Sequence, residues 1–224
     1  MAYLSAQDAA IVTAAVTAAE KGTSGEIVTV LAGQSDGYSD IALAWATIAA
    51  FTAMSVFAVW PAFFLGKIDA LSGGWSHEWT MGETLTIMLG TGLVKFLAVW
   101  LIQLWQPLKF LLIPGPVKTA RVHARAIAHF KVGAERRTHG RTGIMIYLSM
   151  GEHRAEIVAD EPIAVKVPAE VWGEAMADML AEIKQGHIVE GMAAGIRDVG
   201  AVLAQHFPCS EEDLNELPDR LIEV

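Results

Sequence analysis

Two long stretches of this chain lack the usual interleaving of apolar and charged positions. Residues 41–66 contain no charged side chain, and residues 84–113 contain only Lys95 and Lys109. A helix of about 20 apolar residues spans the roughly 30 Å hydrocarbon core of a bilayer. Both stretches exceed that length and a short polar segment joins them, so the pattern predicts a two-helix transmembrane hairpin. The first span covers about 41–65. The second fits two registers. At about 85–105, Lys95 sits at mid-bilayer, which costs a few kcal/mol. At about 93–113, both lysines lie near the ends, where their long stems reach the interface. The latter is preferred; Pro107 then kinks the helix and Pro114-Gly115-Pro116 stops it.

Outside the hairpin the pattern is that of a folded domain. Ser5 and Asp8 form a capping-box signature, and Ile11, Val12, Ala15, Val16 and Ala19 recur on one helical face. Residues 27–31 and 144–148 are continuous apolar runs, read as buried strands. Residues 155–159 alternate as a hairpin partner, and Ile163, Val165 and Val167 predict a further short strand. Residues 117–131 read as a helix with Lys118, Arg121 and Arg125 on one side. After Pro168, Val171, Trp172, Ala175, Met176, Met179, Leu180 and Ile183 share a face, with acids opposite. This helix is expected to pack on the sheet, with Trp172 as a core anchor. A last helix covers about 188–205, and its glycines at 191, 195 and 200 allow close packing. The segment 209–224 is an acidic tail.

Residues 1–40 supply one helix and one strand, too little for a core of their own. A hairpin returns the chain to the side it left, so the first strand can join the sheet formed by residues 117–208. The prediction is a single α/β domain, a sandwich interrupted by the hairpin at 41–113.

Charge orients and excludes. Lys118, Arg121, Arg125, Lys131, Arg136, Arg137 and Arg141 follow the second span, whereas Lys67 is the one basic residue between the spans. The positive-inside rule then places both termini in the cytoplasm. Trp60, Phe63, Phe64, Trp75 and Trp79 would form an aromatic belt at the other interface. A net charge of −9 argues against nucleic acid as a partner. The one cysteine, Cys209, excludes a disulfide framework.

Three stretches carry a resemblance: Ser24-Gly25-Glu26-Ile27-Val28-Thr29-Val30; then Thr142-Gly143-Ile144-Met145-Ile146-Tyr147-Leu148-Ser149 with Arg154-Ala155-Glu156-Ile157; then Gly186-His187-Ile188-Val189-Glu190-Gly191. In this order they resemble the TPM domain family, and with the hairpin its membrane-anchored bacterial variety. The resemblance implies an α/β sandwich in a bacterial inner (plasma) membrane protein. Some members of that family are acid phosphatases and some bind calcium. The family's Gly-rich aromatic segment after the strand hairpin is here Asp160-Glu161-Pro162-Ile163-Ala164-Val165-Lys166-Val167-Pro168, a departure where the chemistry would lie.

Candidate sites follow from residue chemistry. Asp160 and Glu161, with Glu26, are the carboxylates suited to a hard cation, calcium or magnesium; adjacent side chains on a strand diverge, so the pair needs a turn. His187 and Glu190 share a helical face, while His123, His129, His139 and His153 show no ligand spacing. Lys118, Arg121 and Arg125 can contact anionic lipid, at about 1 kcal/mol each. With no catalytic constellation, the leading expectation is a non-enzymatic anchored domain that binds another membrane protein or assists assembly of a membrane complex. The alternative is a calcium- or magnesium-assisted phosphatase-like hydrolase.

Overall fold

The computed structural model describes residues 3–72, 78–133, 142–209 and 217–224. The polar loop at 136–141, His139, Trp75 and the first part of the acidic tail lie outside the described residues. The chain forms two compact units, Met1–Asp36 with Gly115–Val224, and Gly37–Pro114.

In the first unit, α1 (Ala6–Glu20) starts on the predicted capping box. Ser5 Oγ accepts from the Asp8 amide at 3.1 Å, and the Asp8 carboxylate accepts from the Ser5 amide. β1 (Glu26–Ala32) and β2 (Gly143–Ser149) are buried at every position. They pair in parallel, from Glu26 against Gly143 to Ala32 against Ser149. β3 (Arg154–Ala159) adds antiparallel to β2, and β4 (Ile222–Glu223) adds parallel to β1, giving the order β3-β2-β1-β4. The strand before the apolar insertion is therefore interior to a sheet otherwise built after it. Both faces are covered, which is why β1 and β2 read as unbroken apolar runs. Ile27, Leu31, Ile144, Ile146 and Leu148 join a core with α1, α8 (Ala169–Ile183) and α9 (Ile188–His206). On the opposite face Val28, Val30, Met145 and Tyr147 meet Val122, Ala126 and Phe130 of α6 (Gly115–Gly133).

Helix α9 lies against both α1 and α8. A Cβ on Gly191 would fall 2.7 Å from the Met179 carbonyl oxygen, and one on Gly200 would fall 2.6 Å from Ala19 Cβ. These two glycines set the interhelical distances.

Two expectations for this unit are corrected. Residues 161–167 form no strand; α7 (Glu161–Lys166) is a helix with Asp160 at its N-cap and proline in its first turn. Only Ile163 and Val167 of the apolar trio are buried, one helical turn apart, while Val165 is 80 % exposed. Helix α8 packs mainly on α9 and meets the sheet at β3; Trp172 is partly buried against the core, and Met179, 1 % exposed, is the anchor. The end of the acidic tail is structured, as β4.

The second unit contains α2 (Ser39–Val59), α3 (Pro61–Leu71), α4 (Met81–Ile102) and α5 (Gln106–Leu112). Helices α2 and α4 pack along each other, with Ala42, Ala46 and Gly92 in the seam. The Gln103 amide closes one end, donating to the Ala42 and Val99 carbonyls at 3.0 and 3.1 Å. Both helices are long and apolar enough to cross a membrane, and only 17 % and 6 % of their most apolar windows are buried. Residues 93–113 are not one helix: α4 stops at Ile102, and Pro107 lies in the first turn of α5 instead of kinking a longer span.

Candidate functional site

A buried polar cluster sits where the parallel strands β1 and β2 end, on the α6 face. Carboxyl ends of parallel strands are where α/β sheets hold ligands. Ser35 follows β1, Tyr147 and Ser149 belong to β2, and Glu152 occupies the turn after it. The Ser35 amide donates to Glu152 Oε1 at 2.9 Å, and Ser35 Oγ donates to Ser149 Oγ at 3.0 Å. Ser149 Oγ in turn donates to Glu152 Oε2. The Tyr147 hydroxyl lies 3.1 Å from Ser35 Oγ. Burial raises the Tyr147 phenol above its usual range, opposed by the Ser35 bond. Around this network the backbone is also tied, Met150 amide to Ala32 carbonyl and Gly151 amide to Gly33 carbonyl, each at 2.9 Å.

Two neighbours extend the cluster. His129 of α6 stacks on Tyr147, ring centroids 5.8 Å apart, with its Nε2 buried and unpartnered. Burial, and then the Arg125 charge, lowers the His129 pKa, favouring the neutral ring. Asp36 accepts from Arg121 at 3.1 Å. Asp36 ends the first segment of this unit and Arg121 lies on the helix that begins the second. The ion pair and the serine–glutamate network therefore join the two segments across the strand ends. Local sequence spacing does not reveal this cluster, because Ser35 lies 112 positions from Tyr147 and Asp36 lies 85 from Arg121.

The predicted cation ligands lie at the other end of the sheet. Glu26 opens β1 and its register partner is Gly143, whose amide donates to Asp160 Oδ2 at 3.2 Å. Glu26 and Asp160 thus flank one glycine, with both side chains buried. Glu26 Oε2 accepts the Leu217 amide at 3.1 Å, while Glu161 is exposed on α7. No group of three His, Cys, Asp or Glu among the described residues has the spacing of a metal site. His187 Nδ1 lies 3.2 Å from Glu182, not on Glu190, and His123 lies 3.2 Å from Glu156. Lys118, Arg121 and Arg125 follow one another along α6; Arg125 is exposed and Arg121 is held by Asp36.

No family model matches the chain, and no curated protein matches it. Among solved structures it is similar to the NMR structure of the BA42 protein from the psychrophilic bacterium Bizionia argentinensis. The TM-score is 0.57 at 18 % identity, covering 100 % of this chain and 97 % of the other. That likeness establishes the fold.

Proposed function

We propose that this protein is a membrane-anchored α/β domain of the TPM type that binds a partner or assists assembly of a membrane complex, without an enzymatic step of its own. The observation that carries the anchoring is the exposure of α2 and α4. Core helices of a soluble protein bury their apolar sides, whereas these keep most of theirs uncovered, Phe51 at 63 % and Leu93 at 60 % among them. An exposed apolar surface of this extent marks a membrane or protein contact. The preference for binding over catalysis rests on the cluster at the strand ends. Its hydroxyls and Glu152 are buried and bonded to one another and to the Ser35 amide, so the cluster reads as a fastening between the two segments and not as a nucleophile open to a substrate.

The basic residues after the second apolar helix favour cytoplasmic termini. A reporter active only in the periplasm should be silent when fused at Val224 and active when fused in the loop between α3 and α4; the reverse pattern overturns this orientation.

The second reading, a calcium- or magnesium-assisted hydrolase, draws on Glu26 and Asp160 flanking Gly143. A phosphate-release assay on the purified chain with each cation separates the two. Turnover abolished by Asp160→Ala would overturn the binding reading.

A further inference from the structure

The C-terminal segment lies along the outer edge of β1, over the interior strand of the fold, yet its ladder is only two residues long. Side chains supply much of the remaining attachment. The Leu217 amide is held by Glu26 Oε2 at 3.1 Å. Thr17 Oγ1 donates to Asp219 at 2.5 Å. Further along, the Val224 amide donates to the Leu31 carbonyl at 3.0 Å, and the Gly33 amide to the Val224 carbonyl at 2.9 Å. Glu223 accepts the Tyr3 amide at 3.2 Å.

Three carboxylates meet along this seam. Glu20 lies one helical turn after Thr17, so both face the segment carrying Asp219. Glu20 Oε1 accepts the Ile27 amide at 2.8 Å, beside Glu26, while its Oε2 is buried with no partner. The charges acting on Glu20 are those of Glu26 on β1 and Asp219 on the tail. Lys21 follows Glu20 in the chain, Arg220 follows Asp219 on the tail, and His206 ends α9, the helix packed on α1; none of these is among the charges that shift Glu20.

We propose that residues 217–224 form a detachable strap over the outer edge of β1, fastened while Glu20 keeps its proton and loosened when that proton is lost to solvent. Ionisation would leave a charged oxygen without a partner between two like charges, next to the two bonds that hold Leu217 and Asp219. Loosening uncovers the backbone edge of β1 that β4 occupies. Burial first, then Glu26 and Asp219 against the opposing Ile27 bond, push the Glu20 pKa up to about 8. A carboxyl with a raised pKa holds its proton more tightly when the strap is closed than when it is open. Closure is therefore complete below the ordinary carboxylate range and weakens as pH rises toward about 8.

Hydrogen exchange on the full chain in lipid nanodiscs tests this, with rates corrected for intrinsic pH dependence. Protection of the C-terminal peptide should fall by up to about tenfold per pH unit from pH 6 to 8 and then level off, while the β2 peptide stays protected. Glu20→Gln should keep the strap protected throughout. Thr17→Val leaves the titrating group in place but removes the bond to Asp219, so it should move loosening to lower pH. Tail protection that tracks β2 across the range overturns the proposal. So does loss that persists in a folded Glu20→Gln protein, or an unmoved midpoint in Thr17→Val.

Discussion

β1 with β2, and α2 with α4, are two pairs of largely apolar elements, yet they are treated in opposite ways. Every position of the two strands is buried, between helices on one side and α6 on the other. The two helices cover only their mutual seam and leave Phe51, Val59, Leu89, Leu93 and Val94 open. Apolar sequence thus corresponds to two environments. The strands make their own apolar surroundings by folding, whereas the helices leave much of their apolar surface uncovered. The split domain is completed late, since the chain returns to finish the sheet only after building the second unit.

The most severe test of this contrast is to separate the regions. Replacing residues 37–114 by a Gly/Ser linker should give a soluble domain that unfolds cooperatively in urea. Removing residues 1–36 instead takes out the strand flanked by β2 and β4, and cooperative unfolding should vanish. If residues 115–224 alone unfold as cooperatively as the linked domain, β1 is dispensable and the split-domain picture fails.

Burial should next decide the cost of truncation. Met179→Ala, at a 1 % exposed position, should lower stability by about 2–5 kcal/mol through lost transfer energy and a cavity. Trp172→Ala, at a partly buried site, should cost less, and Leu93→Ala should leave the unfolding midpoint of the sheet domain unmoved. Equal effects at Met179 and Leu93 would erase the distinction between the two units.

Charge probes the other side. An arginine at a bilayer-facing position costs about 2.5–3.5 kcal/mol in insertion experiments. Leu93→Arg should therefore shift protein from the alkali-resistant membrane fraction to the soluble or aggregated one. Retention in the membrane pellet would mean that this face of α4 meets water or protein.

The smallest effect concerns the cluster that fastens the strand ends. Tyr147→Phe deletes one 3.1 Å hydrogen bond to Ser35 and should cost about 0.5–1.5 kcal/mol in the urea midpoint of the linked domain. No change would reduce the phenol to a stacking surface for His129.

What could be read from sequence followed from how local each signal was. The capping box at Ser5 and Asp8, the two apolar strands and the glycines of α9 are short-range patterns, and each appears as expected. Residues 163, 165 and 167 mimic strand alternation, but the stronger signal was the N-cap Asp160 followed by Pro162, which starts a helix. Trp172 drew attention by its size, while burial went to Met179, where Gly195 admits it. The serine–tyrosine–glutamate cluster and β4 were illegible for a common reason. Both depend on pairing between segments far apart in the chain, and neither local spacing nor composition encodes that pairing.

The parallel pairing of β1 with β2 also constrains synthesis. β1 leaves the ribosome early, but its register partners begin at Gly143. At roughly 5–20 residues per second, the roughly 110 residues between them take on the order of 10 s to appear. Throughout that interval β1 is a seven-residue apolar strand with both edges bare, while two helices of 21 and 22 residues emerge behind it. Such an edge is an aggregation template. A nascent chain of this protein should therefore need early capture by a chaperone or the insertion machinery, and slowing translation after α4 should lower the yield of folded protein more than slowing it after β2.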